Sequence, residues 1–93
     1  VILVWDKSFK RAFKRLIKKN LRSQEKVFEV LDLLADNPSA PSLKSHKLTG
    51  QLEGLWSCSV AYDCRIVYSS REDKVLGTTV IVLIDIGTHD DVY

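Results

Sequence analysis

The sequence closes on GTHDDVY (residues 87–93), directly after the apolar run VIVLI (residues 80–84). His89 in that tail and His46 in the segment SLKSHKLTG are its two histidines. Histidine gives or takes a proton near neutral pH, because its unperturbed pKa of about 6.5 lies there. A strand that runs straight into Gly87, His89 and Tyr93 has two readings. Either the tail is polar only for solubility, or the strand is a rigid arm that delivers an imidazole and a phenol to a chosen place. The two cysteines, Cys58 and Cys64, offer less: their spacing, with the histidines distant, fits neither a disulfide framework nor a zinc site. No metal or cofactor is expected, and both thiols are expected to be reduced and half-buried.

The other concentrated chemistry is charge. Of 14 basic residues, eight fall in residues 7–22 with no acidic residue among them. They are Lys7, Lys10, Arg11, Lys14, Arg15, Lys18, Lys19 and Arg22. The rest of the chain is net acidic, so the overall +2 conceals a segregated cationic stretch. Segregation of this kind attracts phosphates or an acidic partner.

The elements that must hold these groups follow from periodicity. VILVW at the start, rich in β-branched and aromatic residues, predicts a strand. Asp6 suits an N-cap, since its carboxylate accepts from free first-turn amides. Phe9, Ala12, Phe13, Leu16 and Ile17 then recur at helical spacing, opposite the lysines and arginines, up to a stop at Asn20. A second helix is expected from Ser23, with Val27, Val30, Leu31 and Leu34 as its apolar stripe, ending before Pro38 and Pro41. SLKSHKLTG reads as a connector. After Gly50 come three strand-like stretches, EGLWSCSVAY, CRIVYSS and VLGTTVIVLIDIG. A tight turn at residues 61–63 joins the first two, and a polar hairpin turn, SREDK (residues 70–74), the last two. The expectation is an α+β fold: an N-terminal strand, then a two-helix hairpin packed on an antiparallel sheet, in the order β-α-α-β-β-β. Residues 80–84 do not alternate, so both faces of that strand need cover. Trp56 is expected to pack on the sheet.

At 93 residues, 45% apolar and 28% charged, the chain is sized and composed as one domain, residues 1–93, neither disordered nor membrane-spanning. VILVW is too short for a signal peptide's apolar region and lacks a basic flank, so a cytoplasmic protein is expected. The missing initiator methionine suggests trimming at this end.

HKLTGQLEGLWSCSVAYDCRIVYS, followed by IDIGTHDDVY, resembles the RelE/ParE superfamily of type II toxin–antitoxin toxins, closest to its YafQ and RelE branches. The resemblance rests on a short H-x-L-x-G connector, a D-x-R-I-V-Y-like strand and a terminal G-T-H segment ending in an aromatic. It spans nearly the whole chain. It implies a metal-independent endoribonuclease, an mRNA interferase cutting messenger RNA on the ribosome, silenced by a cognate antitoxin in a hetero-oligomer. It implies catalytic roles for His46, Asp63 and His89, which match YafQ active-site positions, for Arg65, which matches a RelE arginine, and for Tyr93. Ser59 and Cys64 depart from the YafQ pattern, where histidine and tryptophan stand, and the lysine pair of RelE's second strand is absent.

The implied chemistry is self-consistent. The ribose 2′-hydroxyl attacks its own phosphate, a base takes the hydroxyl proton, and an acid protonates the departing 5′-oxygen. Arginine suits the equatorial oxygens of the phosphorane. His89 is expected as the acid, because Asp90 and Asp91 favour its charged form; His46 or Asp63 is then the base. Arg65 stabilises charge, and Tyr93 stacks on a base or donates its hydroxyl. The eight basic helix residues, with Lys44 and Lys47, are expected to contact RNA and the ribosome. Two rival readings remain on this sequence: a ParE-like toxin that inhibits DNA gyrase without nuclease chemistry, and a nucleic-acid-binding module without catalysis.

Overall fold

Asp6 begins the first helix in the manner its side chain favours. Its carboxylate accepts from the Ser8 backbone N–H at 3.1 Å, and Ser8 Oγ lies 2.7 Å from the same oxygen. These bonds hold the Asp6 carboxyl below its ordinary pKa, the Ser8 hydroxyl being the largest cause. The computed structural model describes residues 1–88 and Val92, so His89, Asp90, Asp91 and Tyr93 lie outside the described residues. Helix α1 runs Lys7–Lys19 and stops at Asn20, and α2 runs Ser23–Asp36, two residues before Pro38. The two apolar stripes bury as their spacing predicts. Phe9 and Ala12 on α1, and Val27, Val30, Leu31 and Leu34 on α2, all lie in the core. Trp5 meets Phe9 and Phe13 edge-on, with ring centroids 5.0 and 5.3 Å apart, and so ties the first strand to α1.

The strands are β1 (Ile2–Trp5), β2 (His46–Lys47), β3 (Trp56–Ala61), β4 (Cys64–Asp73) and β5 (Thr78–Gly87). Their order in the sheet is β1-β5-β4-β3-β2. The α+β arrangement of two helices on a sheet holds, but three details differ from the sequence reading. First, the sheet is mixed, because β1 pairs parallel to β5, with Ile2 opposite Val80 and Trp5 opposite Leu83. This places β5 between two partners, and Val80, Ile81 and Leu83 are all buried. The unbroken apolar run is thus the mark of an interior strand.

Second, the connector contributes a strand of its own, the two-residue β2, which pairs antiparallel with β3. Third, β4 extends through Asp73, so the expected turn at residues 70–74 sits several residues further on. Thr79 donates to Glu72 across the ladder at 2.7 Å, and Arg71 pairs with Asp73 at 3.1 Å. The turn itself closes where Leu76 N–H donates to the Asp73 carboxylate and Gly77 N–H to the Asp73 carbonyl. Gly77, at φ 68°, supplies the left-handed residue such a turn requires. The shorter turn joining β3 to β4 is where the sequence puts it, with Tyr62 fully exposed at its tip.

Candidate active site

Side chains alternate across a strand, so register decides which residues share a face. Cys58 on β3, Ile66 on β4 and Ile86 on β5 belong to the core beneath the helices. Their neighbours therefore face the other way. Two rows form on that face, in which Ser57 and Val67 are buried while His46 is exposed and Arg65 half-buried. In one, β2 brings His46 opposite Ser57, which lies opposite Val67, which lies opposite Asp85. In the next, Ser59 lies opposite Arg65, and Arg65 opposite Gly87. Strands about 4.8 Å apart and two-residue steps of about 6.7 Å set His46 and Arg65 two strands and one step apart, with Ser57 and Val67 buried between them.

His46 is exposed at the sheet edge, and its Nδ1 lies 3.2 Å from the Lys44 carbonyl oxygen. A carbonyl can only accept, so Nδ1 carries the proton in this bond, and Nε2 of the neutral ring keeps its lone pair for a substrate. Lys44 holds that carbonyl in place from a left-handed conformation, φ 50° and ψ 41°. It is the one non-glycine residue with positive φ among the described residues, and backbone strain of this kind costs about 1–2 kcal/mol.

Arg65 is half-buried in the middle of the face, between Ser59 and Gly87. Asp63 sits in the exposed turn just beyond this row, nearer to Arg65 than to His46 along the sheet. The register thus brings His46 and Arg65 to one face and sets Asp63 at its end. His89 and Tyr93 lie outside the described residues; in sequence His89 follows two residues after Gly87, the partner of Arg65. Burial pushes the Cys58 thiol up to about 12, and burial, then Asp63, raises that of Cys64. Both cysteines are free, and neither is a nucleophile at neutral pH. Among the described residues, no cluster of three or more His, Cys, Asp or Glu side chains could hold a metal ion.

Trp56 turns to the opposite, helix-covered face. It stacks beside Tyr68 with ring centroids 6.5 Å apart, and Lys47 Nζ lies 5.6 Å above it. It packs, as expected. All eight basic residues of the helical segment are exposed, and none takes part in an ion pair among the described residues. Their placement holds one surprise. Arg11 and Arg15, with Ser8, line a groove of about 230 Å³ that reaches Asp85 and Ile86 at the end of β5. Distance in sequence hides this closeness; the signal was there only in the strand order, which sets α1 against β5.

The model of the YafQ toxin family, bacterial toxins of type II toxin–antitoxin systems, matches residues 2–93. The chain belongs to the YafQ toxin family. Solved structures agree on the fold. YafQ from E. coli superposes with a TM-score of 0.80 at 19% identity, covering 98% of this chain and 96% of that one. The same protein in the E. coli DinJ–YafQ complex gives a TM-score of 0.77 at 19% identity, with 98% and 96% covered. A YoeB/ParE toxin from Agrobacterium tumefaciens gives 0.76 at 22%, with 96% and 99% covered. Among curated proteins, none matches this YafQ-family toxin. No helix among its described residues is long and apolar enough to cross a membrane.

Proposed function

We propose that this YafQ-family toxin is a metal-independent endoribonuclease that cuts messenger RNA on the ribosome. The observation that carries the reading is the pairing of two accessible features on one sheet face. His46 is tethered through Nδ1 with Nε2 left to accept a proton, and Arg65 is fixed by the adjacent strand pairing. In the reaction His46 Nε2 takes the 2′-hydroxyl proton as that oxygen attacks the neighbouring phosphorus. The bond from phosphorus to the 5′-oxygen breaks, and His89 protonates the departing oxygen. Arg65 meets the equatorial oxygens, where its planar fork of donors matches the charge that develops. Asp63, at the end of the row, orients the incoming strand or serves as the alternative base, and Tyr93 stacks on a splayed base. The products are a 2′,3′-cyclic phosphate and a 5′-hydroxyl.

The exposed cations of α1 hold ribosomal RNA, together with Lys44 and Lys47 beside the site. The partner that silences the toxin is a small antitoxin in a hetero-oligomer; the E. coli DinJ–YafQ toxin–antitoxin complex, whose YafQ shares this fold, supports that partner. Its setting is the cytoplasm, where ribosomes are. Primer extension on a translated message, with purified toxin added, tests the reading. Discrete new 5′ ends are expected; an intact message together with poisoned DNA gyrase would replace it with the ParE-like alternative.

A further inference from the structure

On the helix-covered face, at the end the helices leave open, lies a groove of about 630 Å³. It runs beside the cross-strand pairs Trp56–Tyr68, Ser70–Ile81 and Glu72–Thr79. At two-residue steps of about 6.7 Å along β4, these pairs change from aromatic to polar. The segment after α2 forms the opposite wall and brings Lys44 and Ser45 to it. Ser45 Oγ is buried there, beside the Tyr68 hydroxyl. One end of the groove is therefore cationic and aromatic, with Lys44 lining it and Lys47 above the Trp56 ring. The other end carries a carboxylate that still has acceptor positions after receiving the Thr79 hydroxyl.

The groove is also joined to the candidate active site through one short element. His46 and Lys47 make up the whole of β2, an edge strand, and consecutive side chains point to opposite faces. A single strand of RNA held at His46 reaches Lys47 and Trp56 by passing round this two-residue edge strand.

We propose that this groove binds one nucleotide of the RNA strand flanking the cleavage site. Its phosphate lies against Lys44 and Lys47, its base along the Trp56–Tyr68 wall, and its polar base edge toward Ser70 and Glu72. The proposal rests on the RNA-cleavage reading above. The chemistry also sets a preference. A carboxylate accepts from the exocyclic amino group of cytosine or adenine, which uracil lacks, so a flanking cytosine or adenine is favoured over uracil.

The test uses the full chain and 2′-O-methyl RNA hexamers, which lack the attacking hydroxyl. Backbone amide resonances are followed by NMR, and affinity by fluorescence anisotropy. The amides of Ser70, Glu72 and Thr79 should shift with cytosine- and adenine-containing hexamers more than with oligo-uridine. Trp56→Leu should weaken binding about five- to a hundredfold, and Trp56→Phe should largely restore it. Glu72→Ala, which removes the acceptor, should erase the base preference while leaving the affinity for oligo-uridine unchanged, a result no merely structural role predicts. If the hexamers shift resonances around His46 and Arg65 but leave the groove untouched, the groove proposal fails and the cleavage reading stands. If no hexamer binds on either face, the groove proposal fails, and the cleavage reading is decided separately by primer extension on a translated message. Shifts produced only by free nucleoside monophosphate, or only by the antitoxin, would overturn the proposal in favour of a small-ligand pocket or a protein interface.

Discussion

Replacing Lys44 by glycine should make the toxin more stable and less active. Lys44 sits at φ 50° and ψ 41°, where a side chain bearing Cβ is strained by about 1–2 kcal/mol. Glycine removes that strain but adds about 0.5–1 kcal/mol of unfolded-state backbone entropy. The net gain is about 0–1.5 kcal/mol, centred near 0.75, which for a chain of this size raises Tm by about 3–6 °C at the centre of that range. The same residue's carbonyl holds His46 Nδ1 at 3.2 Å. A freer backbone lets the imidazole drift, and a 1 Å misplacement costs up to about 10²-fold in rate. Lys44→Asn serves as the control, because asparagine tolerates the left-handed region and also removes the charge, yet keeps a stiffer backbone than glycine. Thermal unfolding by circular dichroism and initial cleavage rates on a model message read the two effects. Opposite signs in the glycine variant, with the asparagine variant closer to wild-type rate than glycine, are expected. A lower Tm for Lys44→Gly, or equal rates for the two variants, would refute the coupling of backbone strain to His46.

Arg65→Ala should slow cleavage about 10²–10³-fold with little change in folding, as loss of one charge-stabilising group typically does; single-turnover rates beside a melting curve check this. Charge reversal at Lys14 and Lys18 should weaken ribosome association and flatten its salt dependence, because each lost phosphate contact lowers that slope. Co-sedimentation across a salt series measures it, and cleavage positions should stay the same. The Cys58 thiol, pushed up to about 12, has a thiolate fraction of only about 10⁻⁴ at pH 8. Iodoacetamide labelling followed by mass spectrometry should therefore modify the half-buried Cys64 first and leave Cys58 untouched in the folded chain. Labelling of Cys58 ahead of Cys64 would contradict its placement.

The helices were legible because their signals are local and redundant. Asp6 caps α1, Asn20 ends it, and apolar residues at three- and four-residue steps mark the buried faces of both helices. The strands were legible as strands, but their partners were not. Nothing in VILVW says that it will lie parallel to β5, and a two-residue strand such as β2 has no period to detect. The β4–β5 turn was misplaced because polar residues can sit on an exposed stretch of ladder as readily as in a turn. Asp73 and Gly77, not the run of charges, set where it closes. For the site, residue types pointed to His46 and Arg65 through family resemblance, yet their common face is a product of register. So is the approach of Arg11 and Arg15 to the end of β5. Such neighbours are made by strand pairing and carry no mark in either segment alone.

The most direct test of 2′-hydroxyl-driven cleavage is the chemistry of the cut ends. Purified toxin is incubated with ribosomes carrying a short message, and the products are analysed by mass spectrometry. Wild-type toxin should yield 2′,3′-cyclic phosphate and 5′-hydroxyl ends, and His46→Ala should yield the same ends about 10²–10⁴-fold more slowly, the usual loss for a general base. Products bearing 5′-phosphate would contradict the mechanism, and an undiminished rate in His46→Ala would contradict the role of His46 as base.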